Sequence, residues 1–431
     1  MKNRARLIDM AKNFAIVILL ISAVFLLIKA TVSGQDSFFG GLDGLFGGKA
    51  VSSTAEQPES AVTALASDPV FLLVTAEDGS HYAVKYDNDA KEKLISQFSA
   101  DLGDALGSSG ETEEQSVEQW QNALSGSGVF FDYLYPQPLS AIASSLGTKI
   151  SNNTSLQTAR RFYLGKNGKS LVLFFISESD GKIYRCSTAL NFSSIEPKIA
   201  EYPIGSANFA FELGAEYASI DPYFIFSREN KALRAVTVSN PVRDSYDGTG
   251  LLSYFGINSR VVSGYTETDG SKVYVEGSKS LRIESSGKIL FDTTGGGLII
   301  GSPSNLTVTD CIAACSDIVS NSISLTSGDG VAELVRVSNV SSPSSCTVNF
   351  GYFVNGIPVT LPGNKYAASF QISDGAIVKA ELYLRSYTFP GGTIVPLPEK
   401  QAAVIAEIEG GEPVLTYEDK TDSVSCTWIN A

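Results

Sequence analysis

The residue types that carry most protein chemistry are scarce or scattered in this chain. Its 431 residues include a single histidine, His81. Ser-His-Asp or Cys-His catalysis would have to be built on that residue, and a zinc site recruits several His or Cys ligands. His81 stands in Gly79-Ser80-His81-Tyr82, just after a turn signal, so it reads as a solvated residue flanking a turn. The cysteines are Cys186, Cys311, Cys315, Cys346 and Cys426. An odd number at so low a density is not a disulfide scaffold. Cys311 and Cys315 are spaced i, i+4 on an expected helix, and Cys346 and Cys426 fall on expected strands. They read as small buried hydrophobes rather than metal ligands. Gly295-Gly296-Gly297 lacks the Lys-Ser/Thr ending of a phosphate loop and opens no amphipathic helix, so it reads as a flexible loop. There is no G-x-S-x-G elbow, H-E-x-x-H or EF-hand spacing. Acids are plentiful, but a glycosidase pair needs a carboxyl of raised pKa within a cleft. Sequence does not display clefts, and a solvated surface is the expectation for each acid. No catalytic residue, metal or cofactor is expected.

What the chain shows strongly is a membrane pattern. Residues 14–28 carry no charge and are almost wholly aliphatic, with Lys2, Arg4, Arg6 and Lys12 before them. A bilayer core of ~30 Å needs roughly 20 mostly apolar residues. Residues 13–32 meet this if Lys29 snorkels to the interface. The basic tail then stays cytoplasmic and the bulk of the chain faces out. A cleaved signal peptide ending near Val32-Ser33-Gly34 is the alternative; the length of the run and Lys29 favour an uncut anchor. Within the span Ala15, Ser22 and Lys29 lie seven apart and Ala23 adjoins Ser22. Small residues at such spacing let helices approach in lipid, so these four form the candidate partner-binding face. Residues 1–30 hold five of the 32 basic residues and one of the 46 acids, which leaves 27 against 45 outside. So acidic a surface repels nucleic acid and anionic headgroups, and nucleic-acid binding is excluded.

The elements behind the anchor are hairpins and a few helices. Residues 33–67 are a Gly- and Ser-rich linker. Runs at 69–76 and 81–87 flank an Asp-Gly turn, the signature of a tight hairpin. Residues 91–106 place Leu94, Ile95, Phe98, Leu102 and Leu106 on one helical face. A second helix is expected over 113–124, with Val117, Trp120 and Leu124 on one side. A strand over 128–135 should stop at Pro136 and Pro138, followed by a short helix over 139–146. Three strands at 161–165, 170–177 and 182–188 form a meander. Prolines at 197, 203 and 222 suit a domain junction. The second half repeats a helix-then-hairpins order, over 222–297 and again over 298–431, with a helix at 309–322. In 376–387 alternation points Ile377, Lys379, Glu381, Tyr383 and Arg385 to water. The expected class is α+β: one transmembrane helix, then tandem units of a helix on an antiparallel sheet. Units are expected at 68–221, 222–297 and 298–431.

The order of these segments resembles a known family. Tyr254-Phe255-Gly256, then Tyr265, Asp269-Gly270-Ser271 and Val273-Tyr274-Val275, then Leu281-Arg282-Ile283 with Gly287-Lys288-Ile289, is similar to the central region of YycH. Phe350-Gly351-Tyr352-Phe353-Val354-Asn355-Gly356-Ile357-Pro358-Val359 resembles a hairpin that YycH and YycI share. The resemblance implies a non-enzymatic, membrane-anchored accessory regulator of the WalK–WalR (YycG–YycF) two-component system. Its implied partners are the sensor histidine kinase, a second YycH/YycI-like protein and the membrane, and its motifs carry no catalytic residues. A tethered envelope module that binds peptides or proteins is the alternative; an envelope hydrolase ranks last.

Overall fold

A computed structural model describes residues 65–430, apart from 151–155, 203–204, 229–230, 245, 247, 364 and 410. The expected anchor, with Ala15, Ser22, Ala23 and Lys29, lies outside the described residues. Among those described, no helix is long and apolar enough to cross a membrane.

The first half builds a nine-stranded antiparallel sheet. Its strands are β1 (Phe71–Thr75), β2 (His81–Val84), β3 (Thr112–Gln115), β4 (Gly128–Pro138), β5 (Thr158–Asn167), β6 (Ser170–Ser177), β7 (Ile183–Asn191), β8 (Ala207–Phe209) and β9 (Ile225–Ser227). They lie in the order β3-β7-β6-β5-β4-β1-β2-β8-β9. The runs Phe71-Leu72-Leu73-Val74 and Leu171 to Phe175 do not alternate with polar residues, because both faces of the sheet are covered. Helix α1 (Asn88–Gly107) buries Leu94, Phe98, Leu102 and Leu106 among Leu72, Val74 and Phe131. Helix α2 (Val117–Leu124) sets Trp120 on the other face, against Phe130, Tyr163 and Phe174.

Two expectations fail here for local reasons. The second helix does not begin at Glu113: residues 112–115 pair with β7, and Ser116 starts the helix. Ser116 Oγ accepts from Gln119 N–H at 3.2 Å and Gln119 Oε1 accepts from Ser116 N–H at 2.8 Å, a capping box. Val117, expected on the apolar side, sits at the first helical position and is 55% exposed. Strand β4 also runs through both prolines. Its register with β5 shifts between Asp132 and Gln137, and Leu134 has a φ of +65°. The ladder is already interrupted at Pro136, and it resumes with Gln137 and Pro138 opposite Ala159 and Thr158.

The second half builds a twelve-stranded sheet. Helix α3 (Leu139–Ser145) and the short strands β10 (Leu233–Arg234) and β11 (Thr237–Ser239) precede it. Its strands are β12 (Tyr265–Thr266), β13 (Lys272–Glu276), β14 (Lys279–Ile283), β15 (Lys288–Thr293), β16 (Leu298–Ile299), β17 (Gly330–Ser338), β18 (Thr347–Val354), β19 (Ile357–Thr360), β20 (Ala368–Ser373), β21 (Ala376–Tyr383), β24 (Pro413–Asp419) and β25 (Val424–Asn430). Strands β22 (Ser386–Thr388) and β23 (Thr393–Ile394) turn back to pair with β11 and β10. All pairs in the large sheet are antiparallel except β19 with β24. The 272–293 hairpins join the later strands edge to edge through β15 and β21. Helix α4 (Val308–Ser320) packs on β18 and β20 and touches α3, so the two halves share one core.

Asn355-Gly356 and Asp374-Gly375 turn their hairpins with both residues at positive φ, as the two-residue turn requires. The expected strand 376–387 splits at Leu384-Arg385. Ile377 and Arg385, expected to face water, are both buried. Ile377 follows a register shift between Gln371 and Ile372. Arg385 leaves the ladder to grip Asp419 at 2.6 and 2.8 Å. The Gly295–297 run is a defined bend: a Cβ on Gly297 would meet Ile377 O at 2.7 Å, which lets β16 pair beside β21.

Candidate functional site

His81 does not stand in solvent. It begins β2, its ring is buried, and it packs edge-on against Phe209 at 5.3 Å. Nε2 donates to Glu212 Oε1 at 2.9 Å, and Nδ1 lies 3.0 Å from Thr75 Oγ1. The 81–84 strand pairs with β1 along its whole length, which carries the first residue of the strand inward. Burial opposes ionisation of Glu212, yet the hydrogen bond and charge of His81 hold its carboxyl below the ordinary value. The pair ties β2 to the turn after β8. Four of the cysteines are buried as expected, and Cys426 is half-buried. Among the described residues, no group of His, Cys, Asp or Glu is placed to hold a metal.

A cavity of about 560 Å³ lies between the β2–β9 edge of the first sheet and the C-terminal strands. A ligand pocket of a few hundred to a thousand Å³ falls in the same range. Strand β2 pairs with β8 only at His81, so from Tyr82 onward its outer edge borders the cavity. Lys85 forms the floor. Its Nζ donates to Ile225 O at 2.6 Å and Glu399 Oε1 at 2.8 Å, and lies 4.3 Å from the Phe224 ring centroid. Glu399 opens helix α5 (Glu399–Glu409), and its Oε2 accepts from Ser227 N–H at 2.6 Å. A carboxylate is therefore seated against a strand N–H and a buried ammonium. Tyr86 and Trp428 form one wall, with ring centroids 6.2 Å apart. Tyr86 holds a φ of +57°, a strained choice for an aromatic residue. Arg228, Lys231 and Lys400 stand around the rim, and Lys231 is bonded to Asp87 at 2.6 Å. The cavity is a cationic and aromatic recess beside a strand edge that lacks a partner strand past His81, where Ala83 N–H donates to Ser206 Oγ at 3.2 Å. The sequence signal for it was weak, because its residues come from six separated segments.

A second cavity, about 300 Å³, is lined by Asp68, Ser316 and Glu333. Burial, opposed by Lys91 and aided by Asp68, pushes the half-buried Glu333 up to about 7. The halves are also joined by charge. Arg160 forks onto Asp132 (2.6 and 2.9 Å) and onto Glu412 (2.7 and 2.9 Å). Arg161 binds Asp132, Asp221 and Glu412. Burial works against an ionised Asp132, but the two guanidiniums hold it below its ordinary value.

No protein-family model and no curated protein matches this sequence. Among solved structures, the chain is similar to the crystal structure of YycH from Bacillus subtilis, with a TM-score of 0.53 and 10% identity. The likeness covers 85% of this chain and 95% of that one. At this identity it shows the fold, which is α+β and YycH-like.

Proposed function

We propose that this chain is a non-enzymatic regulator of a sensor histidine kinase, anchored by residues 13–32 with its bulk outside the cell. The YycH-like fold, over 85% of the chain, carries the reading. The uncharged run with basic residues before it supports the anchor and its orientation. The partner is a WalK/YycG-like kinase, with a second YycH/YycI-like protein beside it. Ala15, Ser22, Ala23 and Lys29 form the face that meets the kinase helices. Differential contacts there bias the kinase between its signalling states. The folded part divides at 68–221, 222–297 and 298–431, behind a linker over 33–67. Replacing residues 13–32 with an unrelated apolar helix tests the reading. A reporter of kinase output should change while the amount of protein in the membrane holds. Unchanged output would leave the helix a mere tether.

The 560 Å³ cavity favours a second role, an envelope module that binds an extended peptide along the β2 edge. Substituting Lys400 and Arg228 together would then abolish capture of that peptide without altering membrane insertion.

A further inference from the structure

Charge around the cavity beside β2 has the opposite sign to that of the molecule. The chain carries 32 basic and 46 acidic side chains. The described residues lining the cavity include four bases, Lys85, Arg228, Lys231 and Lys400, and one acid, Glu399. Two of the four bases are already engaged. Glu399 meets Lys85 at 2.8 Å on the floor, and Asp87 meets Lys231 at 2.6 Å. Among the described residues, no hydrogen bond or ion pair engages the side chain of Arg228 or of Lys400. Both stand exposed on fixed backbone. Arg228 N–H donates to Ser206 O at 2.8 Å, and Lys400 lies in the first turn of α5. The two cations thus come from the two halves of the molecule. The rest of the lining includes Tyr86, Phe226, Leu415 and Trp428. Trp428 is held in place, since its Nε1–H donates to Leu397 O at 2.8 Å.

We propose, on the peptide-binding reading given above, that this cavity takes an extended acidic segment of a partner protein. Its carboxylates meet Arg228 and Lys400, and its alternate, apolar side chains meet the wall of Tyr86 and Trp428. The formal charge of −14 does not keep such a segment away. At physiological salt, exposed charges more than ~8 Å apart are largely screened, so the groups lining the cavity decide what enters. A basic segment would set like charge against Arg228 and Lys400, and an uncharged one would leave both without a partner. Cations on an exposed rim choose between partners more than they hold them. Aromatic rings hold apolar side chains of many shapes. Affinity therefore comes from the wall, and choice from the rim.

The test uses the full chain in nanodiscs of uncharged lipid, with empty nanodiscs as background. Three pools of end-capped pentapeptides compete for it. In each pool randomised apolar residues alternate with one polar residue: glutamate, glutamine or lysine. Retained peptides are identified by mass. The glutamate pool should be enriched about tenfold over the glutamine pool, as two exposed ion pairs allow, and the advantage should shrink as salt is raised. Arg228→Glu with Lys400→Glu should move the preference to the lysine pool, a gain that a misfolded variant would not show. Equal retention of the glutamate and glutamine pools overturns the acidic class and leaves the peptide reading standing. Retention of none of the three overturns both. A preference for glutamate that survives in the double variant overturns the assignment to this cavity.

Discussion

At the scale of single residues, two side chains depart from what their neighbours in sequence suggest. Glu333 reads as one more surface acid, yet burial lifts its carboxyl to about 7. A carboxyl raised in the folded state keeps its proton where the unfolded chain, near 4.5, has lost it. The contribution of Glu333 to stability is then greatest below pH 4.5, falls as the pH rises towards 7, and is flat above. Glu333→Gln removes that fall. A pKa shift represents ~1.4 kcal/mol per unit; because Glu333 is only half-buried, solvent screening reduces the total, and the gain at pH 8 is about 1 kcal/mol. Urea midpoints at pH 5 and pH 8 check it: the variant should gain only at the higher pH. His81 is the second. His81→Ala leaves Glu212 and Thr75 without their shared partner and opens space against Phe209. A loss of about 2 kcal/mol is expected, read as a lower urea midpoint with an unchanged slope.

At the scale of elements, short-range chemistry was legible and long-range chemistry was not. The Asp-Gly and Asn-Gly pairs placed the hairpins because positive φ is a local demand. Leu94, Phe98 and Leu102 revealed the buried face of α1 by spacing alone. Two of the misreadings lie where a distant partner decides. Arg385 breaks an alternating strand for Asp419, 34 residues on. His81 is drawn inward by Glu212, 131 residues away. The cavity beside β2 draws on residues from 82 to 428, and no local pattern marks it. One element had a readable signal that was missed: Ser116 and Gln119 spell a capping box three residues inside the helix expected from 113. Ser116→Ala should therefore cost about 1 kcal/mol. Hydrogen exchange would show faster opening of the first turn of α2, with the protection of α1 unaltered.

At the scale of the whole molecule, the two halves are held by a shared apolar core, by the buried Lys85–Glu399 pair and by a larger buried charge network. The network joins β4 and β5, through Asp132, Arg160 and Arg161, to Glu412 at the entrance of β24. Two guanidiniums face three carboxylates there, counting Asp221, so every ion has a partner of opposite sign. Such a network adds little net stability, because desolvation offsets attraction, but removing one member strands the others. Asp132→Asn should cost about 3 kcal/mol at pH 7. The acid response separates this loss from one of packing alone. Asp132 is depressed in the folded state, so its contribution is complete above the unfolded value near 3.8. It disappears as the pH falls below that, through the folded value. The wild-type chain should lose stability steeply below pH 4. The variant should start lower and fall less steeply over the same range. Circular dichroism during acid titration, in a fixed sub-denaturing concentration of urea, distinguishes the two curves. Parallel curves for variant and wild type would mean that Asp132 contributes only shape and that the sheets are joined by apolar contact. If the network does join them, both halves should unfold in one transition in the wild-type chain. In the variant, the fluorescence of Trp120, in the first half, and of Trp428, in the second, should then report separate midpoints.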